Sequence, residues 1–206
     1  MRSAGSGVIR ALLMDADGVL QRLPKGFFGD FAALGGGRDF MREVFREEKR
    51  AMTGTEDLID VLTELIDRRG LSISAEQLLA LWYRIEVDQR MLDLVARARA
   101  AGVITVLATN QQSYRGTWMQ QHLPYADYFD HAFYSFEVGL AKPDPAYFTH
   151  IVDHLGIAAG DAVFVDDLAE NTAGARRAGL TAITYPHRSP FGLLKLRLRA
   201  AGVPGL

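Results

Sequence analysis

The chain has 206 residues and no cysteine. That absence excludes a disulfide framework, a thiolate nucleophile and any zinc site built on thiolates. It suits a reducing compartment, and cytoplasmic placement is the expectation. A second absence is charge of one sign: 23 Lys and Arg stand against 25 Asp and Glu, with no long basic run. The electrostatic footprint of a nucleic-acid surface is therefore missing. A third is length of apolar run, since no stretch approaches the roughly 18 residues that a membrane span needs. The opening "MRSAGSGVIRALLM" is a poor export signal, because its apolar stretch is short and Arg10 interrupts it. Residues 1–7 read as a flexible tail.

What is present is ordinary for a globular protein: 49% apolar and 23% charged residues. The length suits one sizeable α/β core carrying an insertion. Four segments read as buried strands: 8–16, 102–110, 161–167 and 180–185, with a minor fifth at 131–136. The three later main strands each follow a helix-like stretch that ends in glycine (Gly102, Gly156 and Gly179), the residue expected just past a helix C-terminus. Strands alternating with helices predict a parallel sheet covered on both faces.

Residues 21–88 break that alternation with helical text. Phe40, Val44 and Phe45 fall at helical spacing, as do Leu58, Val61, Leu62 and Leu65. Thr55 and Ser74 are the expected N-caps, and the glycines at 35–37 are expected to end a helix. The fold class is thus α/β: a Rossmann-like parallel sheet core (1–20 and 89–206) covered by helices on both faces, with a small all-helical insertion (21–88) after the first strand.

Ligands of open parallel sheets bind beyond the carboxyl ends of the strands. The first strand delivers Asp15 and Asp17 there, the second Thr109 and Asn110, and "VFVDD" delivers Asp166 and Asp167. Lys142 comes from the loop "GLAKPDP". Carboxylates with neither cysteine nor a nearby histidine favour a hard, oxygen-liganded ion, foremost Mg²⁺. The cation answers the repulsion between Asp15 and Asp17; the lysine and the hydroxyl answer the charge of a phosphate. Singly, each motif has a plainer explanation as a turn or a helix cap. Their joint occurrence at strand ends, in one order, does not.

Those segments resemble the haloacid-dehalogenase-like superfamily of hydrolases. The matching motifs are DADGV (15–19), LATN (107–110), GLAKPDPAYF (139–148) and FVDDLAENTAGARRAG (164–179), which span the core in order. The resemblance implies that 21–88 is a helical cap and that the protein is a phosphatase of small phosphorylated metabolites, with sugar phosphates as the expected substrates. It assigns Asp15 as nucleophile and Asp17 as general acid and base, with the Asp17 backbone carbonyl also a metal ligand. Neighbouring negative charge is expected to raise the Asp17 pKa. Thr109, Asn110 and Lys142 would bind the phosphoryl group, and Asp166 and Asp167 would complete a Mg²⁺ site with Asp15.

Asp17 also separates phosphoryl transfer from halide displacement, which needs no proton. A phosphomutase of the same chemistry and a silent binding module remain alternatives. Gln21, Arg22 and Lys25 are placed to reach a ligand. His150 and His154, four apart on a helix, read as surface residues rather than metal ligands. The expected partners are a small phosphorylated substrate, no nucleic acid and no membrane, in a monomer or homodimer.

Overall fold

The run Ala11–Met14 (β1) is fully buried and lies at the centre of a five-stranded sheet. A computed structural model describes residues 8–206; the tail read at 1–7 lies outside the described residues. After β1 come a two-residue strand β2 (Gln21–Arg22), helix α1 (Phe27–Phe31), a short π-helical turn (Ala32–Gly36), α2 (Gly37–Glu47), and a 3-10 turn (Glu48–Ala51). Then follow α3 (Leu58–Arg69), α4 (Ala75–Trp82) and β3 (Glu86–Val87). The rest runs α5 (Gln89–Ala100), β4 (Ile104–Thr109), α6 (Ser113–His122), α7 (Tyr125–Tyr128), β5 (His131–Tyr134), α8 (Ser135–Val138), α9 (Pro145–Leu155), β6 (Ala162–Asp166), α10 (Ala169–Arg177), β7 (Thr181–Thr184) and α11 (Phe191–Ala200).

All five expected strands form, in the order β5-β4-β1-β6-β7, and every adjacent pair is parallel. Side chains alternate across a strand, so β1 feeds two cores. Leu12 and Met14 pack with Met91, Leu94 and Val95 of α5 and Leu194 and Leu198 of α11. Ala11 and Leu13 pack with Tyr147, Phe148 and Ile151 of α9 on the other face. Burial on both faces explains why the strand carries no polar residue. Among the described residues, no helix is long and apolar enough to cross a membrane.

Register decides the site. Met14 is level with Leu107 of β4 and with Val165 of β6. The next residue of β1 therefore meets the next residue of β6, and Asp15 falls beside Asp166.

The segment between β1 and α5 encloses a core of its own, with Phe27, Phe31, Phe40, Val44, Leu58, Leu62 and Trp82 buried. Phe40, Val44, Leu58, Val61, Leu62 and Leu65 all face inward, as their spacing predicts. Ser74 caps α4 in a reciprocal capping box with Gln77. The cap of α3 is Asp57 rather than Thr55: its carboxylate accepts from the Ile59 amide at 3.1 Å, and a carboxylate also suits the positive end of the helix dipole. The glycines at 35–37 lie at a junction, with Gly36 closing the π-helical turn and Gly37 opening α2. The antiparallel pair β2–β3 joins the two chain crossings at the base of this segment. Two residues each are too few to show a strand period.

Candidate active site

At the carboxyl end of β1, the Asp15 amide donates to the Val165 carbonyl at 3.0 Å, which extends the ladder one residue past the strand. The chain then turns sharply. Gly18 adopts φ 79°, and a Cβ there would run into the Asp167 carboxylate. Glycine meets both demands, the left-handed backbone and the close approach.

Lys142 is buried between two acids, its Nζ 2.7 Å from Asp15 Oδ1 and 2.7 Å from Asp166 Oδ2. Burial works against the ammonium, yet Asp15 and Asp166 outweigh it and raise the Lys142 pKa. The loop carrying Lys142 is held by Asn110. Its side-chain Nδ2 donates to the Lys142 carbonyl at 2.8 Å, and its Oδ1 accepts from the Lys142 amide at 2.9 Å. The loop also packs against α10 at Gly174, where any Cβ would meet the Pro143 carbonyl.

Asp166 is fully buried and saturated with donors. Leu168 N donates at 2.8 Å, Asn171 Nδ2 lies 3.1 and 3.0 Å from its two oxygens, and Lys142 supplies a further bond. Asp167 is half-buried and, among the described residues, accepts no side-chain hydrogen bond of that kind; burial and the neighbouring Asp166 push its carboxyl up to about 6, against the pull of Lys142. One oxygen each from Asp15, Asp166 and Asp167 lie within 4.8 Å of one another. Burial pushes the Asp15 carboxyl well above its usual range; Lys142 pulls it down, while Asp166 and Asp17 push it further up. Three carboxylates sharing a single lysine leave excess negative charge. An all-oxygen donor set of that kind fits a small hard divalent cation such as Mg²⁺.

Asp17 turns away from this cluster. Arg115 of α6 grips it, Nη2 donating to Oδ1 at 2.7 Å and Nη1 to Oδ2. Gln21 Nε2 (3.0 Å) and Gln111 Nε2 (2.7 Å) complete its shell. Burial raises the Asp17 carboxyl, but Arg115 and the two amides overcome that and leave it below its ordinary value. The expected upward shift is thus overturned: the nearest charge is cationic. Asp17 keeps 41% of its side-chain surface exposed, so water screens part of this pull. Arg115 also donates from Nε to the Trp82 carbonyl at 2.9 Å, tying the end of α4 to the acid.

Other expected residues take different places. Thr109 is fully buried, its hydroxyl accepts from Gln111 at 3.0 Å, and it does not line the cleft. Gln21 faces inward, bonded to Asp17 and to the Tyr125 hydroxyl at 2.6 Å. Arg22 lines the cleft, paired with Glu86 at 2.9 Å, whereas Lys25 does not line it. His150 and His154 are exposed and pack edge-on against Phe133.

Asp15, Asp17, Asn110, Lys142 and Asp167 open on one cleft of about 790 Å³. Its opposite wall is Phe27, Phe28, Phe45, Met52 and Trp82 from the inserted helices. Glu48, buried in that wall, holds the Trp82 indole N–H at 2.6 Å, and burial pushes its carboxyl up to about 7 against the pull of Arg115. Sequence reading passed over Arg115, Gln111 and Glu48. Arg115 had one signal, its place on the first turn of the helix following Asn110.

A parallel sheet with carboxylates and a bridging lysine at its carboxyl edge, roofed by an inserted helical segment, defines an α/β hydrolase core of the haloacid-dehalogenase type. The chain belongs to that family: the model of haloacid dehalogenase-like hydrolases matches residues 9–179. Among curated proteins it is 28% identical over 96 residues to a sesquiterpene phosphatase of Aspergillus oryzae, covering 47% of this chain and 49% of that one. It is 34% identical over 86 residues to a phosphatase of Mycobacterium tuberculosis, covering 41% and 40%. The chain thus spans about half the length, or less, of these relatives. A family enzyme of Bacteroides thetaiotaomicron, crystallised as a magnesium complex, superposes with a TM-score of 0.77 at 22% identity, over 92% of this chain and 99% of that one. That likeness concerns the fold.

Proposed function

We propose that the protein is a Mg²⁺-dependent phosphatase of a small phosphorylated metabolite, acting through a phosphoryl group carried on Asp15. The observation that carries this reading is the bridge made by Lys142, 2.7 Å from both Asp15 and Asp166 in a buried cluster of three carboxylates. Burial favours the protonated Asp15 carboxyl; a lysine so placed pulls it back toward the ionised form, the form in which a carboxylate held in line attacks phosphorus. The similarity to two phosphatases supports the same chemistry.

In this reading Asp15 and Asp167, with the backbone carbonyl of Asp17, hold Mg²⁺. Asp166 instead orients Lys142, because its oxygens are already taken by Leu168, Asn171 and Lys142. The ion supplies charge neutralisation for the attacking carboxylate and a phosphate oxygen.

Asp15 forms a bond to phosphorus as the ester oxygen departs. Asp17 protonates that oxygen, then takes a proton from the water that cleaves the phosphoryl–Asp15 bond. Since Arg115 favours the ionised carboxylate, Asp17 must loosen from Arg115 before it acts as acid. Lys142 and backbone N–H groups beyond β4 neutralise the transferring oxygens, with Asn110 fixing the Lys142 loop. Thr109 supports Gln111 from behind. The segment 21–88 serves as the cap, its aromatic wall closing the cleft against water.

The test is release of inorganic phosphate from a panel of phosphomonoesters, with Mg²⁺ and with a chelator. Magnesium-dependent net release supports the reading. Isomer formation without release would point to a mutase, and no turnover on any ester would sink catalysis altogether.

A further inference from the structure

We propose that the substrate's alcohol is an apolar ring or branched hydrocarbon, so that monophosphates of apolar alcohols are preferred to those of sugars. This rests on the phosphatase reading and narrows its substrate.

The two sides of the cleft differ in chemistry. The sheet side carries the carboxylates, Asn110 and Lys142; the opposite side presents Leu23, Phe27, Phe28, Phe45, Met52 and Trp82. These rings form one slab rather than scattered contacts. Phe45 lies 5.9 Å from Trp82, 5.9 Å from Phe31 and 6.5 Å from Phe27, centroid to centroid. Phe28 stands edge-on to Phe27 at 5.5 Å and is 56% exposed. Across the mouth, Leu168 is 48% exposed and lines the same cleft. Large apolar side chains left in water on both lips of a pocket are surface that a ligand of matching character would cover.

Polar partners on the cap side are few. Arg22 is engaged by Glu86, and Lys49 is exposed. The one buried polar side chain among the cap residues lining the cleft is Glu48, whose Oε1 already accepts from Trp82. Its Oε2 accepts no hydrogen bond from the described residues. A hexose would bring several hydroxyls against ring carbons and leave most of them unpaired, at a cost for each. A hydrocarbon body with at most one hydroxyl or amine toward Glu48 meets no such cost. The cleft volume of about 790 Å³ accommodates a body well beyond the phosphate itself.

The test compares cyclohexylmethyl phosphate with a hexose phosphorylated on its primary hydroxyl. Both release a primary alkoxide, so intrinsic reactivity is closely matched. Apolar pockets separate ligands by roughly 10- to 200-fold per methylene, so kcat/KM with Mg²⁺ is expected to favour the cyclohexyl ester at least tenfold. Phe28→Ser, at an exposed position that does not threaten folding, is expected to narrow that ratio several-fold. Calorimetric binding of the two matching phosphonates should show the same preference without turnover. Equal or better use of the hexose ester, or equal binding of the two phosphonates, would overturn the proposal. If neither ester is turned over, the phosphomonoester panel decides the phosphatase reading, and the phosphonate affinities alone decide this one.

Discussion

Arg115 holds Asp17 with both terminal nitrogens while its Nε holds the Trp82 carbonyl, so one buried side chain joins the sheet edge to the inserted helices. Arg115→Met removes both attachments. The Trp82 carbonyl loses its donor, and Asp17 loses its counter-charge but keeps its partly exposed edge. The full penalty of a broken buried pair therefore does not apply. The expected loss of stability is about 1–3 kcal/mol, the cost of unsatisfied polar groups, read from urea unfolding. An unchanged midpoint would show that the bridge contributes nothing.

Asp17 can be examined through the leaving group. A proton donor matters most when the departing oxygen is strongly basic. Asp17→Asn is expected to cost about 10²- to 10⁴-fold in kcat on alkyl phosphates and much less on nitrophenyl phosphate. Equal losses on both esters would place Asp17 outside proton transfer.

Glu48 sets a pH-dependent load on folding. Its carboxyl is raised from 4.5 to about 7 in the folded protein, so the folded state binds the extra proton across that window. Its contribution is fully present below pH 4.5 and disappears as pH rises through about 7. At about 1.4 kcal/mol per unit, the wild type is expected to lose about 3 kcal/mol over that window relative to Glu48→Gln. The amide keeps the acceptor for Trp82 and carries no charge. Parallel stability curves for the two proteins would refute the raised carboxyl.

Gly18 combines φ 79° with contact against Asp167. Alanine there brings a left-handed strain of about 1–2 kcal/mol and displaces a proposed magnesium ligand. Gly18→Ala is expected to require a markedly higher Mg²⁺ concentration for half-maximal activity, with a modest fall in thermal midpoint. An unaltered magnesium dependence would show that Asp167 does not bind the ion.

The sheet was readable because burial on both faces forces near-continuous apolar runs, and because three of those runs, β1, β4 and β6, lead into polar residues gathered at the candidate site. Asp15, Asn110, Asp166 and Asp167 could be named for that reason. Thr109 shares the same position in its motif, yet its side chain points to Gln111 and the interior. Arg115 was hidden by distance: it meets Asp17 across 98 residues, and an arginine in a helix ordinarily reads as solvated. Glu48 was hidden likewise, since its partner Trp82 lies 34 residues away and nothing local marks a buried glutamate. The Asp17 shift was misjudged for the same reason. The sequence displays the neighbouring acids of the strand ends, but not the guanidinium that the fold brings between the sheet edge and the inserted helices.

The central claim is that Asp15 carries the phosphoryl group. It is tested most directly by quenching the enzyme in acid during turnover of a phosphomonoester with Mg²⁺ and mapping its peptides by mass. The account predicts one phosphoryl group on the peptide containing Asp15, absent from Asp15→Asn, which should show no turnover while remaining folded. Sustained turnover with no phosphoryl group on that peptide, or appreciable activity in Asp15→Asn, would contradict it.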